Sequence, residues 1–264
     1  MSPSVLNQGT KAEAAEASWK SLYKAGGVAA LLAIVALLVD IIISLGGEDF
    51  NPAMLGAMEW FDLFHGNGLS GLRALGLINI ISLTIAISLY FALYAAHRQR
   101  YQAYAALASI VYLVGTAIYI SNNAAVPMYV LSAKYAAATT EAQRTLLAAA
   151  GEAILARGAD FAPGSFTGFF FTEMAGLAFS VLMLRSRIFS KANAYLGILG
   201  FMALAIFTIW TTFVPVFFEA AMILAMVGGL SSVGWYILVA RRLFQLGQGV
   251  PETVANHKAL VTAR

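Results

Sequence analysis

Six long runs of apolar residues, separated by shorter polar segments, dominate the chain. They cover about 25–45, 74–96, 103–126, 166–184, 194–213 and 216–240. Each run is close to the roughly 20 residues that an α-helix needs to cross a hydrocarbon core of about 30 Å. The pattern therefore predicts an all-α fold, in which a polytopic membrane protein is built as a bundle of six transmembrane helices.

Two connections between the runs are long and carry helical patterns of their own. In the first, Asn51 is a typical cap for a helix that begins at Pro52 and ends at the His65-Gly66-Asn67-Gly68 segment. In the second, Thr140 is a typical cap for a helix that runs to about Ala156. Apolar residues recur every three or four positions in both. We expect two amphipathic helices in the outer loops, each lying on the membrane surface.

The apolar and polar segments divide the chain into three parts. Residues 1–24 are predicted to form a cytoplasmic segment with an interfacial helix, and residues 25–246 form the transmembrane domain. The polar, aperiodic stretch 247–264 is predicted to be a disordered cytoplasmic tail. The first apolar run exceeds the 7–15 residues typical of a signal peptide, so we do not expect it to be cleaved.

Charge gives the orientation. Only 11% of the residues are charged and 60% are hydrophobic, which excludes an ordinary soluble domain. Twelve of the 16 basic residues fall on one side of the predicted bundle. They are Lys11, Lys20, Lys24, Arg98, Arg100, Arg185, Arg187, Lys191, Arg241, Arg242, Lys258 and Arg264. Because Lys and Arg resist translocation, this side is predicted to be cytoplasmic, with both termini there.

The numbers of cysteines and histidines limit the kinds of metal and haem site that the chain can form. The chain has no cysteine and three histidines, of which only His65 lies on the predicted outer side. A zinc site with three imidazole ligands and a haem held by two histidines are therefore excluded. Phosphate-binding glycine motifs and the basic–aromatic patterns of nucleic-acid binding are also missing. We expect no catalytic residue, cofactor, metal site or nucleic-acid partner, and we expect contact with membrane lipids.

Ionisable residues inside the apolar runs need a reason, because a charge at the centre of a membrane helix costs about 2.5–3.5 kcal/mol on insertion scales. Glu173 lies about eight residues into the fourth run. Asp40 and Glu219 lie nearer to the outer ends of the first and sixth. Arg73 is the basic residue closest to them in the predicted topology, so it is the expected counter-charge for one of them.

The third run carries a polar stripe. Ser109, Tyr112, Thr116, Tyr119 and Asn123 recur at steps of three and four, which places them on one face of a helix. In a membrane, such a face is expected to point into the bundle. Other polar residues of the outer half are expected to join it: Asn79, Asn122, Thr208 and Thr212. Together with Asp40, Glu173 and Glu219, these residues predict a polar pocket that opens outward.

Each of these residues also has a simpler structural explanation. Asp40 and Glu219 could cap helices or extend to the interface. Glu173 could be a protonated carboxyl that makes one hydrogen bond between helices, and the hydroxyl stripe could hold helices together. The pocket hypothesis depends on the concentration of these groups in one half of the membrane, which packing alone does not require.

Four segments of the chain carry a family resemblance. They are LYKAGGVAALLA (22–33), YAAATTEAQRTLLAAAGEAILA (135–156), MLRSRIFSKANAYLGILG (183–200) and WYILVARRLFQLG (235–247). They resemble a bacterial family catalogued as domain of unknown function 4386, and the likeness extends over about residues 20–247. The resemblance implies a six-span protein of the inner membrane and gives no activity, substrate or catalytic residue. Glu173 differs from the apolar or small residue that we expect at that position in the family.

Three functions follow from these observations. In the first, the protein binds or transports a lipid, an amphipathic small molecule or a cation in the outward-facing pocket. In the second, it is a structural or accessory subunit that packs against a protein partner or a second copy of itself. In the third, it is a membrane-embedded enzyme that modifies lipids, which would need a metal or a nucleophile that the sequence does not place.

Overall fold

The computed structural model describes residues 3–45, 55–160, 162–214 and 218–248, with side chains described for 17–39, 55–160, 162–214 and 220–248. Within these ranges the chain is helical and contains no strand. The helices are α1 (Pro3–Leu45), α2 (Ala57–Gly66), α3 (Gly68–Ala74), α4 (Leu77–Asn122), α5 (Ala125–Ala136), α6 (Glu141–Gly158), α7 (Pro163–Ser186), α8 (Lys191–Phe213) and α9 (Phe218–Gln248). The predicted all-α class is confirmed.

Five segments of the described chain are long and apolar enough to cross a membrane. They are Ala17–Val39, Leu77–Ala136, Glu141–Ser186, Lys191–Phe213 and Ala220–Gln248. Large apolar side chains point away from the protein on these helices, and Leu230, for example, is 74% exposed. The protein is therefore a multi-pass membrane protein, and the number of six crossings stays a prediction.

Helix α4 reverses direction at Tyr101, whose backbone is not helical (φ −133°, ψ 39°). Tyr90 and Tyr112 stack with their ring centroids 3.6 Å apart. In one straight helix these residues would be about 33 Å apart at 1.5 Å per residue. The two halves of α4, 77–100 and 102–122, therefore run antiparallel, as predicted for the second and third apolar runs.

The long helices form a closed ring, in which α1 packs on α4, α4 on α7, α7 on α8, α8 on α9, and α9 on α1. Local sequence sets several of the helix ends. The Ser190 side chain accepts a hydrogen bond from the Asn193 amide at 3.1 Å and caps α8. Pro163 stands in the first turn of α7, and Arg187 ends that helix in the left-handed region (φ 57°).

The core of the bundle contains many alanines around a few large side chains, among them Phe179 and Trp235. In the sequence, Trp235 and Tyr236 stand shortly before the basic pair Arg241 and Arg242, a position that suggests an aromatic belt at the cytoplasmic interface. This interpretation is wrong, because Trp235 is fully buried and packs edge-on against Phe201, 5.0 Å between ring centroids. Small residues on neighbouring helices leave the space that these rings fill.

The short helices α2, α3, α5 and α6 pack together at one end of the bundle, and we call them the cap. Trp60, Phe61, Phe64 and Met128 form the centre of its own hydrophobic core. The Glu152 carboxylate of α6 accepts a hydrogen bond from the Ala57 amide at the start of α2, 2.6 Å away. Two separate surface helices were expected, but the two loops fold against each other, since each buries its apolar face on the other.

The predicted ends of the outer helices agree with the structure at some positions and differ from it at others. The Thr140 hydroxyl accepts from the Gln143 amide at 3.3 Å, so this residue caps α6 as predicted. The predicted helix start at Asn51 and Pro52 lies outside the described residues. The third apolar run, expected to continue to about residue 126, breaks after Asn122, and the chain begins α5 at Ala125.

Candidate functional site

A cavity of about 250 Å³ lies inside the ring of helices. It is lined by Asn79, Leu83, Tyr90 and Tyr112 of α4, Asp160 of the loop before α7, Phe169, Thr172 and Glu173 of α7, Phe201, Leu204, Phe207 and Thr208 of α8, and Tyr236 of α9. Asn79 and Tyr90 are about 16 Å apart along the α4 axis at 1.5 Å per residue. The cavity therefore extends from the cap end toward the middle of the bundle.

Glu173 is the most deeply placed carboxyl of this wall, and its side chain is 8% exposed. The Thr208 hydroxyl of α8 donates a hydrogen bond to its Oε1 atom at 2.7 Å. Its Oε2 atom is buried and has no hydrogen-bond partner among the described residues. A buried polar atom without a partner is costly, typically by about 1–3 kcal/mol. The hydrogen bond from Thr208 therefore satisfies only one of the two oxygen atoms of this carboxyl.

Tyrosines form one side of the cavity. The Tyr112 hydroxyl donates to the Leu83 carbonyl at 2.9 Å, which fixes the stacked pair of Tyr90 and Tyr112 across the two halves of α4. Tyr90 and Tyr236 also line the cavity, and neither hydroxyl makes a hydrogen bond to the described chain. These two residues were missed by the sequence analysis. Their spacing gives no signal, because Tyr90 lies within the second apolar run and Tyr236 within the sixth.

A hydrogen-bonded cluster, which we call the latch, lies at the cap end of the cavity: Asn79, Tyr119, Asn123 and Asp160. The Asp160 carboxylate accepts from the Tyr119 hydroxyl at 2.7 Å and from the Asn79 amide at 3.0 Å. Asn123 donates to the Leu75 carbonyl at 2.8 Å and to the Tyr119 oxygen at 3.2 Å. The latch ties the loops at both ends of the cap to the bundle.

A glycine makes the latch possible. Gly76 joins α3 to α4 with a positive φ of 91°, a conformation that residues with a side chain rarely adopt. A Cβ atom there would collide with the Tyr119 hydroxyl and lie 2.9 Å from the Asn123 amide nitrogen. Asp160 was missed as a site residue, because the sequence places it in a loop and only the fold returns that loop to the bundle.

The predicted site residues divide into groups. Asn79, Tyr112, Glu173 and Thr208 line the cavity, whereas Tyr119 and Asn123 lie behind it in the latch. Asn122 points elsewhere, since its amide donates to the Gly164 carbonyl at 2.9 Å and its oxygen accepts from the Arg157 guanidinium. It fastens the end of α6 to the start of α7.

Thr116 and Thr212, two further predicted site residues, are not among the residues that line the cavity. The Thr116 side chain is buried, and the Thr212 hydroxyl is buried with no hydrogen-bond partner in the described ranges. Asp40 and Glu219 lie in the backbone of α1 and α9, and their side chains lie outside the described residues. Arg73, the expected counter-charge, lies in α3 of the cap, three residues before Gly76. Its pairing with one of the three acids stays a prediction.

The wall of the cavity combines two carboxyls with aromatic and aliphatic side chains. Its ionisable carboxyls are Glu173 and Asp160, and no lysine, arginine or histidine is among the lining residues that the structure describes. In the described ranges, no group of three or more histidine, cysteine or acidic residues is placed to hold a metal ion. The remaining wall is mostly aromatic and aliphatic, a typical combination for a pocket that takes a small organic molecule.

The fold and cavity define a class, a helical multi-pass membrane protein with a partly polar chamber beneath a small helical cap. The family model described as "Domain of unknown function (DUF4386)" matches residues 63–240. The match covers more than half of the chain, so the chain belongs to this family, as the sequence had indicated. No curated protein and no solved structure matches the chain. The geometry of the cavity is therefore the basis for a functional proposal.

Proposed function

We propose that this protein is a six-span protein of the bacterial inner membrane, with both termini in the cytoplasm, and that it binds an amphipathic small molecule or lipid in the cavity. The observation that supports this proposal most strongly is the Glu173 carboxyl, of which only one oxygen has a hydrogen-bond partner in the described chain. A carboxyl inside a membrane bundle is costly, and Glu173 is one of the residues that line the cavity. A bound ligand would supply a partner for the second oxygen, which the packing of the helices does not supply.

The polarity of the chamber supports an amphipathic ligand. The latch residues Asn79 and Asp160 make the cap end polar, and Leu83, Leu204 and Phe207 make the walls apolar. A molecule with a polar group and an apolar body matches both kinds of surface. The volume of about 250 Å³ exceeds the 150 Å³ of an engineered cavity that holds benzene in another protein.

Native mass spectrometry of the protein extracted from its own membranes tests the proposal. Leu83→Trp fills the cavity from α4, and Ile81→Trp is a matched control, because Ile81 is 47% exposed on the same helix. We expect a bound species on the wild type and on Ile81→Trp, and at least a tenfold lower occupancy on Leu83→Trp. Equal occupancy on all three proteins would contradict the proposal.

Labelling tests the orientation, since the chain has no cysteine of its own. Ala142→Cys places a thiol on an exposed position of the cap, and Gln102→Cys places one at the turn within α4. If the cap faces outward, a membrane-impermeant maleimide labels Cys at 142 in spheroplasts and reaches the one at 102 only after lysis. The reverse pattern would contradict the proposed topology.

An accessory subunit is the second candidate, and the surface of the cap favours it. Leu69 and Leu146 are 71% and 72% exposed on the cap. Such side chains at a membrane surface could contact lipid or a partner protein. Photocrosslinking from position 146 in native membranes distinguishes contact with lipid from contact with a partner protein. A discrete protein adduct supports the role as an accessory subunit, and lipid adducts alone contradict it.

A further inference from the structure

The charges on the cavity wall select against an anionic ligand, and this step depends on the proposed ligand-binding function. Glu173 and Asp160 both carry carboxyls, and no lysine, arginine or histidine lines the cavity in the described structure. A fatty acid or a phosphate head group would therefore meet acidic groups without a basic side chain in the lining. A neutral or positively charged group fits this wall, since charge pairs with opposite charge.

The hydrogen-bonding groups of the wall need a donor. Glu173 Oε2 has no partner in the described chain, and Tyr90 and Tyr236 lie on the same wall. A carboxylate oxygen accepts hydrogen bonds, and a tyrosine oxygen also accepts. A primary ammonium group has three N–H donors and no acceptor, so it can donate to the Glu173 carboxylate and to a tyrosine oxygen of this wall.

The aromatic rings favour the same group. Tyr90, Tyr112, Phe169, Phe201, Phe207 and Tyr236 are the rings of the wall. The faces of such rings carry partial negative charge and attract ammonium ions within about 6 Å. The rings also pack against an apolar body. A wall of this kind suits an organic cation better than a metal ion, which prefers about six oxygen ligands at short distance.

We propose that the cavity binds a primary organic ammonium ion, with its nitrogen at Glu173 Oε2 and its apolar body between the aromatic rings. Thr208 positions the acceptor, since its hydroxyl holds the other carboxyl oxygen at 2.7 Å. The latch bounds the site at the cap end through Asn79 and Asp160. The volume of about 250 Å³ has room for a ring of benzene size with a short aminoalkyl chain.

Three probes of nearly equal shape test this ligand class by isothermal titration calorimetry in nanodiscs, with empty nanodiscs as the blank. They are 2-phenylethylamine, 2-phenylethanol and 3-phenylpropionate, which are a cation, a neutral molecule and an anion at neutral pH. We expect the wild type to bind the amine at least about tenfold more tightly than the alcohol, because charged hydrogen bonds are the stronger ones. The anion should show no measurable binding.

Glu173→Gln keeps the shape of the side chain and an oxygen for Thr208 while it removes the ionisable carboxyl. We expect it to weaken amine binding about tenfold or more and to change alcohol binding less than twofold. Asp62→Asn is the charge-matched control, since Asp62 is exposed on the cap, and its affinities should equal those of the wild type. Circular dichroism checks that each variant is folded.

The outcomes separate this inference from the proposed function. If the alcohol binds the wild type as tightly as the amine, or if Glu173→Gln keeps the preference, the ammonium assignment is wrong and the ligand cavity stands. If no probe binds, the ammonium assignment is also wrong. In that case the occupancy measured on Leu83→Trp decides separately whether the cavity holds any ligand. If Glu173→Gln does not fold, the comparison of the three probes on the wild type still decides.

Discussion

The latch and the Glu173 region are two polar clusters on the same cavity, and they differ in how completely their groups are bonded. In the latch, Asp160 receives two hydrogen bonds and Asn123 makes bonds with the Leu75 carbonyl, the Tyr119 oxygen and the Ala125 amide. At Glu173, one oxygen is bonded and the other has no partner in the described chain. A satisfied cluster stabilises the fold, whereas a buried polar atom without a partner needs a further explanation, and for Glu173 we propose that a bound molecule provides it.

The largest effect should follow from breaking the latch at Asn123. Asn123→Leu leaves the Leu75 carbonyl, the Tyr119 hydroxyl oxygen and the Ala125 amide without their partner, so we expect the free energy of unfolding to fall by about 3 kcal/mol or more. Asn193 is the matched control, since it is 1% exposed and neither polar side-chain atom has a partner in the described structure. Asn193→Leu should be neutral or stabilising. Thermal melting in detergent, followed by circular dichroism, measures both, and equal losses would contradict the distinction.

A smaller effect should follow from removing single hydroxyls. Tyr119→Phe takes one donor away from the Asp160 carboxylate, and we expect a loss of about 1.5–3 kcal/mol, the range for hydrogen bonds to charged groups. Tyr90→Phe removes a hydroxyl that has no partner in the described chain, so its stability should stay within about 0.5 kcal/mol of the wild type. The same melting experiment compares them. If Tyr90→Phe lowered the free energy of unfolding more than Tyr119→Phe, the latch would not be the cluster that stabilises the fold, and the distinction would be wrong.

The smallest change in stability should come from Glu173→Gln. The amide oxygen keeps the hydrogen bond from Thr208, and the substitution removes a carboxyl whose second oxygen is unpaired in the described chain. We expect the melting temperature of the ligand-free protein to stay the same or to rise slightly. Glu152→Gln gives the contrast, because Glu152 accepts the Ala57 amide at 2.6 Å, and its charge also favours the start of α2. A strong loss of stability in Glu173→Gln would show that Glu173 stabilises the fold, as the latch residues do.

Periodicity along single helices was enough to predict much of the fold. The apolar runs indicated the long helices, and steps of three and four placed Tyr112, Tyr119 and Asn123 on one face of the second half of α4, where the structure has them turned inward. Glu173 and Thr208, which the sequence had placed in the same half of the membrane, are hydrogen-bonded to each other across α7 and α8. These features depend on local spacing, which a sequence displays directly.

The parts that the sequence did not show depend on contacts between distant segments. Asp160 reaches the bundle only because α6 returns along the cap, with its Gly158 carbonyl bonded to the Ala124 amide at 2.9 Å. Tyr236 lies next to a fully buried tryptophan rather than at an interface, because the closed ring of helices encloses that part of α9. No spacing within one helix indicates which neighbour a side chain meets. The same reason explains why the two loops were expected as separate helices and not as one cap.

An experimental map of the protein, purified from its native membranes and held in nanodiscs, tests the central claim most directly. The claim is that the cavity beside Glu173 is a ligand site. The account predicts continuous density between the rings of Tyr90, Phe201 and Tyr236, larger than a water molecule and within hydrogen-bond distance of Glu173 Oε2. A cavity that holds only water, or side chains that close over it and supply Glu173 with a partner from the chain itself, would contradict the account.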